Sequence, residues 1–164
     1  MEFIKELGTL ALGSRIKNLS ESMMRDMARI YKEQNIDYEP RWFTFFQLIL
    51  LKKELNVNQI AKDLNQTHPA IVQIINIMEK KKIIVTKKDK ADNRKRLVRL
   101  SKKGKQLAQE LTPLWEIVQT VSNEVINENA PYFLDDISKI EESLAQRSTY
   151  QRIKEKTIQM AIKQ

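Results

Sequence analysis

The chain has no cysteine among its 164 residues and a single histidine, His68. The first absence excludes disulfides, thiolate metal ligands and a thiol redox switch, and the second excludes the usual multi-histidine metal site. Glycine and proline are scarce as well, three and four residues. Few interruptions of that kind predict long helices. No apolar run approaches the ~20 residues that span a bilayer, and the richest, Phe45 to Leu51, has the length of a buried helix. The start, Met1-Glu2-Phe3, lacks a signal-peptide pattern, which predicts a cytoplasmic protein with no membrane partner. There is also no glycine-rich phosphate loop, no nucleophilic cysteine and no carboxylate pair set to work with His68. No enzyme activity, cofactor or metal is expected.

What is plentiful is charge, and it is unevenly placed. Between Lys80 and Lys105, thirteen Lys and Arg stand against only Asp89 and Asp92, a local net of +11, while the rest of the chain sums to −3. Positive charge gathered in so short a stretch predicts a surface that binds a polyanion. The length fits one domain, 1–164, with no internal repeat and no low-complexity linker.

Apolar periodicity supplies the elements. Leu12, Ile16, Leu19, Met23, Met27 and Ile30 form one stripe on a helix of about residues 9–34. Pro40 suits the first turn of a second helix reaching about Glu54, apolar on nearly every side and so expected at the centre of the fold. Val57, Ile60, Ala61 and Leu64 mark a short helix. Thr67 reads as the N-cap, and Pro69 as a first-turn residue, of another that runs to about Lys81. Two short helices across a tight turn make a helix-turn-helix. Ile83–Thr86 and Leu97–Leu100 are β-favouring runs on either side of the polar stretch 87–96, which predicts a hairpin with a basic tip. Ser101 then caps a helix whose Leu107, Leu111, Leu114, Val118, Val121 and Val125 form a seam, with a kink expected at Pro113 and an end near Asn129. Phe133, Ile137, Ile140 and Leu144 open a last helical region, continued less regularly by Ile153 and Met160 or Ala161.

On the helix after Thr67, Ile71, Ile74, Ile75 and Met78 gather on one side at ~100° per residue, whereas Pro69, Gln73, Asn76 and Lys80 lie nearly opposite. The amides of Gln73 and Asn76 can pair bidentately with adenine in a major groove, or simply stay solvated. His68 and Thr67, at the helix start, suit either a phosphate contact or the cap itself. At the hairpin tip, Arg94, Lys95 and Arg96 are candidates for a narrow minor groove, where arginine is favoured. Asp92, wrong in sign for DNA, suits an acceptor that holds an arginine or the loop backbone. Trp42, Phe43, Phe45 and Phe46 make an aromatic zone that either packs as core or, through Trp42, Phe43 and Phe46, lines a pocket for a small apolar or aromatic anion.

Taken together, Asp92-x-Arg94-x-x-x-Val98-x-Leu100-Ser101-x-x-Gly104, preceded by Gln59-Ile60-Ala61, Pro69-Ala70-Ile71 and Met78-Glu79-Lys80, resemble the MarR-type winged-helix regulators over essentially the whole chain. The resemblance implies that Arg94 enters the minor groove with Asp92 positioning it, that residues from Thr67 through Ala70 to Asn76 face the major groove, and that the terminal helices form a dimer. Two positions depart from the pattern: Lys82 stands where many members have Gly at a left-handed helix end, and Val72 where many have Ser or Thr. Leu12 to Phe46, with Leu19-Ser20-Glu21 and Glu39-Pro40-Arg41-Trp42-Phe43, is similar to a subgroup sometimes fused to an acetyltransferase domain.

The expected architecture is mainly α with a small β-wing, about six helices, in which 1–37 and 102–164 form a dimerisation lobe around a winged helix-turn-helix at 38–101. The expected function is a ligand-responsive, sequence-specific repressor that binds double-stranded DNA as a homodimer. Its operator would be a pseudo-palindrome read about one DNA turn, ~34 Å, apart. The rival readings are a winged-helix protein-interaction module and the regulatory half of a split acetyltransferase system. Salt-sensitive DNA binding argues against the first, and absence of acetyl transfer against the second.

Overall fold

Helix α1 (Glu2–Glu6) and a 3₁₀ turn (Gly8–Ala11) lead into α2 (Leu12–Glu33), with Gly8 at φ 57° in the bend. A second 3₁₀ turn, Pro40–Trp42, starts on its proline and continues into α3 (Phe43–Lys52). Strand β1 (Leu55–Asn56), α4 (Val57–Asp63), α5 (His68–Lys80), β2 (Ile84–Lys88) and β3 (Arg96–Leu100) follow. After them come α6 (Lys102–Asn129), α7 (Phe133–Gln146) and α8 (Thr149–Ile162). The computed structural model describes residues 2–89 and 96–162, which contain eight α-helices where the sequence pattern suggested about six. The difference lies at the ends: α1 is too short to carry a periodic signal, and the last helical region is cut in two. Ser148 makes the cut by starting α8 with its own capping box, its hydroxyl accepting from the Gln151 amide while its amide donates to Gln151 Oε1.

The chain forms two compact units, Met1–Gln109 and Glu110–Gln164, and α6 contributes to both, continuing as one helix through Pro113. In the first unit the sheet order is β1-β3-β2, antiparallel throughout, with Leu55 opposite Val98, and Ile84, Thr86 and Lys88 opposite Leu100, Val98 and Arg96. Its core is closed by Phe45, Phe46 and Ile49 of α3, Ile60 of α4, and Ile71 and Ile75 of α5. Helix α3 is less enclosed than its composition suggests: its last turn emerges, leaving Leu51 75% exposed. In the second unit Arg152 ties α8 to α7 by donating to the Ser143 hydroxyl and carbonyl and to the Arg147 carbonyl. Neither α7 nor α8 buries a residue.

Three helix ends in the first unit share one device. The chain leaves α2, α4 and α5 through a residue in the left-handed region, Asn35 (φ 56°), Asn65 (φ 49°) and Lys82 (φ 60°). The amide one residue later then reaches back to an orphan carbonyl, Ile36 to Tyr31, Gln66 to Ala61 and Ile83 to Met78, at 2.8–2.9 Å. Asparagine tolerates this conformation better than most residues. Lysine does not, yet Lys82 takes the conformation that glycine would occupy, because buried Ile83 anchors the turn beyond it. That turn also explains why β2 begins at Ile84 rather than at Ile83.

Candidate nucleic-acid interface

Two capped helices make the turn motif. Asn56 Oδ1 accepts from the Gln59 amide, and Gln59 Oε1 accepts from the Asn56 amide, both at 3.0 Å, a reciprocal capping box that starts α4. The Thr67 hydroxyl accepts from the Ala70 amide at 3.4 Å and starts α5, with Pro69 in its first turn. Helix α5 therefore has two faces. Ile71, Ile75 and Met78 are fully buried, while Gln73, Asn76 and Lys80 are exposed. Ile74, expected to face the core, is only half-buried, and so is Ala70. Thr67, His68 and Pro69 are exposed at the helix start. Seven of the ten predicted DNA-contact residues thus lie along one helix and its cap. Arg94 and Lys95, with the positioning residue Asp92, lie outside the described residues.

Arg96 has a different setting. Its guanidinium donates to Glu79 Oε2 at 2.5 Å, and the Thr86 hydroxyl donates to Glu79 Oε1 at 2.6 Å. Glu79 belongs to α5, Thr86 to β2 and Arg96 to β3, so one carboxylate joins the exposed-face helix to both strands of the hairpin. The Thr86 hydrogen bond, and then the Arg96 charge, hold the Glu79 carboxyl below its usual range against the opposing effect of partial burial. The motif Met78-Glu79-Lys80 contains this carboxylate without marking its role. A carboxylate in an otherwise basic run, seven residues before a strand threonine, was the available signal.

A second clasp closes the base of the hairpin. The Ser101 amide donates to Ile83 O at 3.0 Å, the Ser101 hydroxyl to Lys82 O at 2.6 Å, and Lys103 Nζ to Lys81 O at 3.1 Å. These donors satisfy carbonyls that the end of α5 leaves without helical partners. The same Ser101 hydroxyl accepts from the Gly104 amide at 3.0 Å as the N-cap of α6. A Cβ on Gly104 would come within 2.1 Å of Ile83 O, so only glycine permits this approach of α6 to the strand. The Ser101-x-x-Gly104 part of the motif is therefore a packing requirement.

The aromatic zone divides. Trp42 and Phe46 are fully buried and meet Tyr38 edge-on, ring centroids 5.6 Å apart in each pair, and Tyr31 meets Tyr38 at 5.3 Å. Burial, and then the neighbouring Tyr31, push the Tyr38 phenol above its usual range, so it stays neutral. Lys81, paired with Asp37 at 2.6 Å, lies 5.7 Å from the Trp42 ring centroid. Of the three residues expected to line a pocket, only Phe43 reaches solvent.

No protein-family model matches the sequence, and no curated protein matches it significantly. Solved structures do. The S. aureus MepR–DNA complex superposes with a TM-score of 0.69 at 23% identity, covering 81% of this chain and 97% of MepR. The repressor CouR bound to a 23-mer DNA duplex gives 0.65 at 18% identity, covering 85% and 96%. NadR in complex with 4-hydroxyphenylacetate gives 0.58 at 17% identity, covering 84% and 92%. The chain has their winged-helix fold. MepR, CouR and NadR are MarR-family repressors, the family whose motifs the sequence resembles. In winged-helix vocabulary, α4 and α5 are the helix-turn-helix and the β2–β3 hairpin is the wing. No helix among the described residues is long and apolar enough to cross a membrane, and no group of three His, Asp or Glu among them could hold a metal ion.

Proposed function

We propose that the protein is a transcription regulator that binds double-stranded DNA in a sequence-specific manner as a homodimer. The observation that carries this reading is the double face of α5, which buries Ile71, Ile75 and Met78 and turns Gln73, Asn76 and Lys80 to solvent. A helix fixed in this way can enter a major groove with its amides toward base edges. Thr67 and His68 would meet phosphate at its N-terminus. Arg94 and Lys95 would follow the minor groove from the wing, with Asp92 orienting them. Arg96 would act through Glu79, fixing the angle between wing and recognition helix. Residues 1–37 and 102–164 would pair two copies, and the two recognition helices would read a pseudo-palindromic operator. The DNA-bound forms of MepR and CouR support this reading, and the ligand held by NadR supports control by a small organic effector.

The test is binding by fluorescence anisotropy to operator and scrambled duplexes over a range of salt. Gln73→Ala weakens operator binding by ~1–3 kcal/mol and relaxes base preference, whereas Arg94→Ala weakens binding to every sequence. Equal losses on both duplexes for Gln73→Ala would overturn the assigned readout. DNA affinity absent at every salt concentration would favour a protein-interaction module.

A further inference from the structure

We propose that Asp37 and Lys81 are a positioning pair that fixes the direction of α5 against α2, and with it the place of Gln73 and Asn76. Lys81 is the C-cap residue of α5, and its Nζ lies 2.6 Å from both carboxylate oxygens of Asp37, 44 residues earlier in the chain. The same ammonium lies 5.7 Å from the centroid of the Trp42 ring, which is fully buried. Its backbone is engaged as well: the Lys81 amide donates to Ile77 O and the Lys81 carbonyl accepts from Lys103 Nζ, both at 3.1 Å. The end of α5 is thereby held through a side chain toward the exit of α2 and through the main chain toward the start of α6.

Asp37 is aimed by its own turn. After the left-handed exit at Asn35, the Ile36 amide returns to Tyr31 O at 2.8 Å and the Tyr38 amide to Ile36 O at 2.9 Å, a three-residue turn with Asp37 at its centre. Ile36 and Tyr38 on either side are buried, so the backbone that carries the carboxylate is fixed by packing. Tyr31 of α2 meets Tyr38, and Tyr38 meets Trp42, so the ring contacts and the ion pair connect the same elements.

Magnitudes separate position from stability here. Asp37 is 76% exposed, and a pair so open to solvent adds little to the folded state. Direction responds more steeply. With 13 residues, α5 is ~20 Å long, so a tilt of ~10° about its end moves its start by ~3.5 Å. That displacement matches the ~3.4 Å between successive nucleotides of a DNA strand, so a small loss of angle would blur which bases α5 faces. The consequence for DNA rests on the reading proposed above, whereas the angle itself does not.

The test places spin labels on the full-length protein at Arg25→Cys in α2 and Gln66→Cys beside the Thr67 cap of α5, both exposed positions in a chain with no cysteine of its own. Labelled protein is diluted in excess unlabelled protein, so that double electron–electron resonance reads distances within one chain. The parent gives one narrow distance. Asp37→Asn and Lys81→Met each broaden or shift it, and the two together do so no further than either alone, while the melting temperature barely moves. Distributions identical to the parent overturn the proposal, as do additive changes in the double variant. If Lys81→Met melts early, Asp37→Asn decides alone, since its side chain is exposed. In a second arm, unlabelled parent and Asp37→Asn each select from a pool of random-sequence duplexes. Sites selected by the parent share one half-site spacing, whereas the variant spreads over neighbouring spacings and binds the parent's sites ~3- to 10-fold more weakly. An unchanged spacing profile in a variant whose label distance has broadened overturns the proposal. A parent that retains no duplex, while its label distance still responds to Asp37→Asn, sustains the pair and defeats only the regulator reading.

Discussion

Between Tyr38 and Leu100 this chain closes most of its large apolar side chains into a core, from Trp42 and Phe46 through Ile60 and Ile75 to Val98. The terminal helices do the opposite. Helix α2 buries only Tyr31 and keeps Ile16 59% exposed, the distal part of α6 keeps Val121 51% exposed, and α7 and α8 bury nothing. Full burial of one such side chain contributes ~1.5–3 kcal/mol, so regular stripes left open on four helices are a large unrealised stabilisation. A contiguous patch above a few hundred Å² marks an interaction surface. The winged segment thus closes its core within one chain, whereas the helical ends leave apolar stripes open, which the proposed second copy would cover.

The comparison can be broken most directly at the stripes. Ile16→Asp with Val121→Asp should convert the proposed dimer to monomer in sedimentation and lower affinity for a proposed operator by on the order of 100-fold, since each half-site then binds alone. A stable monomer from the unaltered chain would remove the basis of the contrast. Where the start of α6 packs on the winged segment, the largest single effect should come from Gly104→Ala, where the Cβ meets Ile83 O. It should cost about 1–3 kcal/mol or more, read as a lower Tm with the oligomeric state unchanged.

A smaller effect sharpens the account of the wing root. Glu79→Gln should cost at most about 1 kcal/mol at neutral pH, because the ion pair is partly exposed and screened. Since the folded carboxyl lies below its usual value, its contribution is full above the ordinary glutamate range and is lost as pH falls through the lowered value. The melting temperatures of the two proteins should therefore converge in acid. A gap that stays constant from neutral to acid pH would deny the carboxylate its role.

Legibility in the sequence followed the reach of each interaction. The helix-turn-helix was readable because its signals are local: Thr67 and Pro69 at the start of α5, and an apolar stripe that places Gln73 and Asn76 opposite Ile71 and Ile75. Ser101 as a cap was readable for the same reason. Strand β1 was not, since two residues carry no period, and its identity depends on Val98 and Leu97 more than forty positions away. The left-handed end at Lys82 was not legible either, since helix-end preference counts only the residue, whereas buried Ile83 and the Ser101 hydroxyl hold the turn from both sides. Arg96 was grouped with the DNA contacts by charge alone; Glu79, which engages it, is seventeen residues distant.

The hairpin is pinned where it leaves the body and where it returns, by Ser101 to Ile83 and Lys82, and again midway by Glu79 to Thr86 and Arg96. Both described strands are therefore fastened to the same helix end, and the hairpin and α5 behave as a lever on a fixed pivot. A change of tilt in the strands would carry Gln73 and Asn76 with it, so the proposed DNA-reading face and the wing would turn as one piece.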